Sequence, residues 1–526
     1  GSKYFILGVI FLVTVIITFI SMKFEQIMPS ATTMADATLP TVAMDTEAGT
    51  QYNVLHGYTS ELDSTLFYGN ITPVNKDRKL AITINTYGED VESVGYKIRS
   101  LEDKSLIENT EVSGYQVTDN KINVTLNIKN LLDTGKEYAL EVVLKTKKHD
   151  AVYYYTRIMY GTDYDLQKKL DFVRDFNACT FDSARLKDIG GYLETSSVGD
   201  NTNYGKVNIN CSLSQIGWGD LEPYIESEIT PEIISINDDV AIIRLDYRVG
   251  AANDYSSSDT YNVNEYYRIR QTNSGFYLLN FEREMNQVFD AKNDLTSSAK
   301  INLGINSSTY VNCTSDEKGI YTYFVNQGSL WCFSSSSQTF TRVFSFRGEE
   351  TDSVREDYDA HNIKIMKIED NGDATFLVSG YMNRGEHEGQ VGVSLCRYSY
   401  SDNDVTERLF IPVAIPYNIL TQNVGGVSYV SNDKFYILID ETLYSVDLVS
   451  KEVMTEITGL KEDAYAVSDA GDAIAYSVSG DIYNTDTIRI LNMSNDSAYE
   501  VNADEGDTLR PLGYIDSDFI YGMAHK

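Results

Sequence analysis

Near its start the chain carries nineteen residues without a charge. Tyr4 to Met22 reads YFILGVIFLVTVIITFISM, bracketed by Lys3 and Lys23. A helix of that length spans about 28 Å, close to the hydrocarbon core of a bilayer, so a transmembrane anchor is expected at 4–22 with a cytoplasmic stub at 1–3. The competing reading is a cleaved secretory signal, whose apolar region would be about 7–15 residues followed by small residues at the cut. The run here is longer and ends in Lys23-Phe24-Glu25, while small residues near Ala35 and Ala37 leave cleavage open. Either reading exports the remainder. From 23 to 51 the sequence has no period and is rich in Thr, Ala and Met, as expected of a stalk.

Period two begins after that. Leu80, Ile82 and Ile84 alternate with polar residues, as do Ile122, Val124, Leu126 and Ile128, and again Tyr138, Leu140, Val142 and Leu144. Alternation places one set on each face of a half-buried antiparallel strand. With turn signals such as Gly88-Glu89-Asp90 and Asp133-Thr134-Gly135 between them, residues 52–160 are expected as a β-sandwich of immunoglobulin or fibronectin type. The Cys…Trp…Cys core of true immunoglobulin domains is absent. The period then changes: Leu166, Leu170, Val173 and Phe176 form a stripe on one helical face, with Thr162 or Asp163 as cap. The region 161–295 is expected as this helix plus either a first repeat unit or a separate α+β domain, from the strand-like limbs Ser235–Tyr247 and Ser274–Phe289.

From 296 to 526 the pattern repeats. A turn and an apolar strand recur at Ser315–Phe324, Asp370–Val378, Ser431–Ile439, Asp469–Tyr476 and Asp516–Gly522. A strand, polar turn and strand follow at Ser329–Phe344, Val393–Phe410, Thr442–Ile457 and Thr487–Val501. Two hairpins recurring at roughly 40–60 residues describe a β-propeller blade, which buries its faces only against neighbouring blades. The limb DAGDAIAY at Asp469–Tyr476 resembles the SPDGxxIAY turn of TolB-like and prolyl-oligopeptidase-type propellers, with Ala470 where that pattern has Pro. The resemblance implies a propeller-like repeat and extends to no specific family. The expected fold class is therefore mainly β: an N-terminal transmembrane helix, a sandwich, then propeller-like repeats. The last repeat begins at Phe519–Tyr521 and is unfinished at Lys526, so either the chain continues or an N-terminal strand completes it.

Charge and chemistry narrow the function. Against 77 Asp+Glu stand 43 Lys+Arg, a net charge of −34, which repels phosphate backbones and argues against nucleic-acid binding. Five cysteines, Cys179, Cys211, Cys313, Cys332 and Cys396, are odd in number and widely spaced. They are expected as small buried residues, with Cys313 and Cys332 able to meet only if their strands are neighbours. Gly425-Gly426-Val427-Ser428-Tyr429-Val430 lacks the second glycine of a nucleophile elbow, and no zinc, P-loop or dinucleotide motif occurs. Arg355-Glu356-Asp357-Tyr358-Asp359-Ala360-His361 is expected as a solvated acidic loop rather than a cation site, and Asp370-Asn371-Gly372-Asp373 as a hairpin turn rather than a calcium loop. The 39 tyrosines, Tyr153-Tyr154-Tyr155 and Tyr266-Tyr267 among them, suit strand packing, or stacking on sugar rings and partner anchoring where exposed. No catalytic, cofactor-binding or metal-ligating residue is assigned, and no cofactor. The expectation is a non-catalytic, membrane-anchored, extracytoplasmic binding, scaffold or sensor protein of a bacterial envelope, with an envelope protein or glycan as partner. The alternative is a propeller-gated serine hydrolase whose catalytic domain lies beyond residue 526.

Overall fold

The computed structural model describes residues 29–161, 164–253, 258–292, 296–297, 300–348, 354–424, 427–431 and 433–525. These are mainly β, in sheets whose strands pair antiparallel with one exception. The apolar run Tyr4–Met22 and the cap candidates Thr162 and Asp163 lie outside them. Among the described residues no helix is long and apolar enough to cross a membrane. The chain divides into two compact units. The first holds the described residues up to Ser315 with Gly319–Asp359 and Met382–Gln390; the second holds Asp316–Lys318, Ala360–Tyr381 and Val391 onward.

In the first unit, the strands Gln51–His56, Thr41–Asp45, Lys79–Asn85, Lys121–Asn127 and Gln116–Thr118 form one five-stranded sheet. Ile71–Val74, Val152–Tyr160, Glu137–Thr146, Val91–Ser100 and Leu106–Val112 form a second, antiparallel apart from the parallel pair of Ile71–Val74 with Val152–Tyr160. The alternating residues do what their period requires: Leu80, Ile82, Ile84, Ile122, Val124, Leu126, Leu140, Val142 and Leu144 are all buried in one apolar cluster joining the two sheets. The described part of the stretch expected as a stalk, residues 29–51, differs. Thr41–Asp45 pairs with strands on both sides, and Val42, Ala43 and Met44 are consecutively buried. A strand covered on both faces shows no alternation, which hid it. Upstream, residues 30–39 are held rather than free: Ala31 N donates to Arg342 O (3.0 Å), Arg384 donates to Met34 O (2.7 Å) and Ala35 O (3.1 Å), and Glu388 accepts from Thr38 N (2.6 Å) and Leu39 N (2.9 Å).

A third sheet carries Lys206–Asn208, Gly275–Gln287, Ser258–Thr272, Val240–Ala252 and Tyr224–Ile225, with Glu232–Ile236 also pairing to Val240–Ala252. The helix Leu166–Thr180 packs on it, burying Leu170, Val173 and Phe176 of the expected stripe, with Phe176 against Tyr267 and Phe281. The region is thus a helix packed on a sheet whose strands Glu232–Ile236, Val240–Ala252, Ser258–Thr272 and Gly275–Gln287 pair in succession. Asn53 ties all three sheets: its amide donates to Ile71 O (2.9 Å) and accepts from Ile233 N (2.7 Å).

The remaining strands form four-stranded meanders. Cys313–Ser315, Tyr321–Asn326, Ser329–Ser334 and Thr339–Ser345 make the first. In the second unit they are followed by His361–Ile368, Ala374–Tyr381, Val391–Ser399 and Asp404–Pro412; by Ser428–Ser431, Lys434–Ile439, Thr442–Asp447 and Val453–Ile457; and by Tyr465–Val467, Ala473–Ser477, Thr487–Asn492 and Ser497–Asn502. A two-stranded hairpin, Asp507–Ile515 with Asp518–His525, comes last. Within the second unit, Tyr436, Leu438 and Leu443 share a core with Ile474 and Met493 of the next meander, and Ala475 and Ile488 share one with Leu509 of the hairpin. All five cysteines are free thiols; Cys313 and Cys332 lie on strands that flank a common neighbour, Tyr321–Asn326, so they do not meet.

The acidic segment at 355–361 corrects its expected reading. Glu356 is buried and pairs with Arg384 (3.3 Å), Asp357 with Arg248 (3.3 Å) and Arg347 (3.7 Å), and Asp359 with Arg347. The amide of Asn383 donates to the backbone oxygens of Arg355, Glu356 and Tyr358. Arg248 and Arg384, distant in sequence, and the nearer Arg347 turn an apparently solvated charge run into a clasp with Glu356 buried and Asp359 at the surface. His56 stacks on Tyr358 of this segment, ring centroids 3.9 Å apart, and burial pushes its pKa down to about 3. The folded protein therefore holds His56 neutral, whereas the unfolded chain binds a proton below about pH 6.5. Stability linked to this group is present above pH 6.5 and lost as pH falls from there toward 3. Replacing His56 with Phe should make the urea midpoint fall less between pH 7.5 and 5 than in the parent; an equal fall would refute the assignment.

Candidate functional site

On the third sheet the alternation separates two chemistries. Toward the helix point Val263, Glu265, Tyr267 and Ile269 of one strand and Phe281, Arg283 and Met285 of the next. The opposite face carries Asn262, Asn264, Tyr266 and Arg268, then Asn280, Glu282, Glu284 and Asn286. Register sets Tyr266 opposite Glu282 and Asn264 opposite Glu284. The neighbouring strands bring Arg244 beside Tyr266, Asp246 beside Asn264, and Lys206 beside Glu284. Asn264, Tyr266, Asn280, Glu282 and Glu284 line a concavity of about 310 Å³.

The polar groups here are held in place. Asn280 donates to Glu282 (2.9 Å), Lys206 pairs with Glu284 (3.3 Å), and Ser307 Oγ donates to Glu284 (3.3 Å). Asn264 donates to Asp246, which also pairs with Arg244 (2.8 Å). Arg244 reaches on to Glu232, whose pKa is raised by burial despite that partner.

Behind the concavity, the core carries a charged cluster. Arg283 and Glu265 are fully buried, 3.7 Å apart and opposite each other in register. Glu265 accepts from Tyr267 OH (2.6 Å) and Asn177 (2.8 Å). Arg283 donates to Ile216 O (2.9 Å) and Gln215 O (3.0 Å), and its guanidinium lies 3.4 Å from the centre of the Trp218 ring. Burial lowers the Arg283 pKa, and Glu265 opposes that shift. The strands that present Asn264, Tyr266, Glu282 and Glu284 are thereby fixed from the back.

The tyrosine pair Tyr266-Tyr267 is split by the pleat: Tyr266 faces the concavity and Tyr267 the core. Of Tyr153-Tyr154-Tyr155, Tyr154 donates to Pro40 O (2.9 Å) and Tyr155 accepts from Leu62 N (2.8 Å), so both are packing residues. Asp370–Asp373 forms a turn, with Gly372 at φ +89° and its N donating to Glu369 O (2.9 Å). Desolvation opposes ionisation of Asp373, but hydrogen bonds from Tyr400 N and Arg397 prevail and hold its pKa below the usual carboxylate range. Among the described residues no group of three or more His, Cys, Asp or Glu side chains is placed to hold a metal ion. Asn264, Asn280, Glu282 and Glu284 had no signal of their own in the sequence; each is an ordinary outward residue, and only the strand register assembles them.

No family model and no curated protein matches the chain. Among solved structures it is similar to a eukaryotic initiation factor, at 9% identity over 54% of this chain and 82% of that one, TM-score 0.22. It is similar to the extracellular domain assigned to a one-component system of B. thetaiotaomicron, at 7% identity over 90% of this chain and 73% of that one, TM-score 0.22. It is also similar to oligogalacturonate lyase of Vibrio parahaemolyticus, at 8% identity over 54% of this chain and 86% of that one, TM-score 0.20. Likenesses of this size carry no argument about activity.

Proposed function

We propose that this chain is a non-catalytic binding or sensor protein of a bacterial cell envelope, anchored by Tyr4–Met22 with its bulk outside the cytoplasm. The observation that carries the binding reading is the concavity at Tyr266: polar side chains pre-positioned on long strands, with no hydroxyl–imidazole or thiol–imidazole pair in its lining. Anchoring rests on the nineteen uncharged residues and export on the same run. In this reading the two five-stranded sheets are an immunoglobulin- or fibronectin-like sandwich. The successive meanders are propeller-like blades, which the shared cores between neighbours in the second unit support.

The full chain expressed in a bacterial host should sediment with membranes, resist extraction by alkaline carbonate, and be cut by protease added outside spheroplasts. Purified protein should turn over neither peptide nor glycan substrates. Soluble intact protein in the cytosol, or turnover that survives re-purification, would overturn the proposal.

A further inference from the structure

We infer that the concavity around Tyr266 binds a neutral polyhydroxylated ligand, a sugar chain, in preference to an organic cation. This rests on reading that concavity as the binding surface. Its lining is one phenol ring, two carboxamides and two carboxylates. Vicinal hydroxyls donate and accept at once; carboxylates accept, carboxamides do both, and the face of a tyrosine ring packs against the C–H face of a pyranose.

Charge separates the classes. A site for ammonium or guanidinium needs several uncompensated carboxylates; here Glu284 pairs with Lys206 and Asp246 with Arg244, while Glu282 accepts from the neutral Asn280 amide and keeps its charge. Arg268 adds a further positive charge on the same face, opposite Asn280. Lys206 and Arg244 offset the charges of Glu284 and Asp246, and the hydrogen bonds fix the rotamers while leaving lone pairs on each carboxylate for ligand hydroxyls. Pre-organisation of this kind reduces the ordering cost of binding. The volume, about 310 Å³, lies at the low end of small-molecule sites.

The test uses the full chain in nanodiscs, since sugar-headed detergents would compete. Maltotetraose, cellotetraose and chitotetraose are titrated by calorimetry, with spermidine as the cation probe. At least one tetrasaccharide should bind with little dependence on salt. Tyr266→Ala should weaken it at least tenfold, Tyr266→Phe less than threefold, and Glu282→Gln severalfold, with near-UV circular dichroism unchanged throughout. Spermidine binding that is steeply salt-dependent and lost in Tyr266→Ala, without sugar binding, overturns the sugar assignment but keeps the concavity as a binding surface. If no probe binds in a Tyr266-dependent way, both readings fall.

Discussion

Replacing Glu265 with alanine is expected to destabilise the first unit by about 3–5 kcal/mol, the cost of stranding one member of a buried ion pair. Neither Glu265 nor Arg283 is exposed at all, so the guanidinium left behind would have no water to take the place of the carboxylate. Asn177 and Tyr267 would lose their acceptor as well, and unpaired buried donors carry their own desolvation cost. A substitution of both members, Glu265→Leu with Arg283→Met, should recover much of the loss, because the cost lies in the unpaired charge and not in the missing attraction. Urea unfolding followed by near-UV circular dichroism reads both. An unchanged midpoint in Glu265→Ala, or a double variant as unstable as the sum of the singles, would contradict the account.

The second large effect concerns Arg384. Its guanidinium donates to Met34 O and Ala35 O and pairs with the buried Glu356. Alanine at 384 therefore removes the grip on residues 34–35 and takes the guanidinium from Glu356, which keeps the bond from Gly348 N, costing about 3 kcal/mol. Combined with Glu388→Ala, which removes the acceptor for Thr38 N and Leu39 N, the whole strap at 30–39 should come away from its seat. Amide exchange at Ala31, Thr38 and Leu39 should accelerate by at least tenfold, and proteases should cut there first. Parent-like protection in the double variant would show that other contacts hold the strap.

What the sequence disclosed depended on which faces met water. Lys79–Asn85 and Lys121–Asn127 have one wet and one dry face, and their alternation located them and named their core residues. Thr41–Asp45 is covered on both faces, built from Val, Ala and Met, and was invisible to a period-two search. The repeat limbs from Ser315 onward were legible because each turn is marked by Asp, Asn or Gly before an apolar strand, and the observed meanders follow those limbs. Between 258 and 287 the signal was mixed, because Glu265 and Arg283 stand at core positions; a charged residue there reads as the wrong face until its partner across the strand is known. The concavity was not legible, since its members are separated by up to twenty residues and only pairing of Tyr266 with Glu282 brings them together. The clasp at Glu356 failed for the same reason: Arg248, Arg347 and Arg384, which convert it from surface to interior, come from three other places in the chain.

The strap also sets a distance. On the proposed anchoring of Tyr4–Met22, at most the eight residues Lys23–Ser30 separate the bilayer from Ala31, which is tied to Arg342. Fully extended, eight residues reach under about 30 Å. On that proposal Ala31 and the edge of the strand Thr339–Ser345 that holds it would ride within one domain's width of the lipid headgroups.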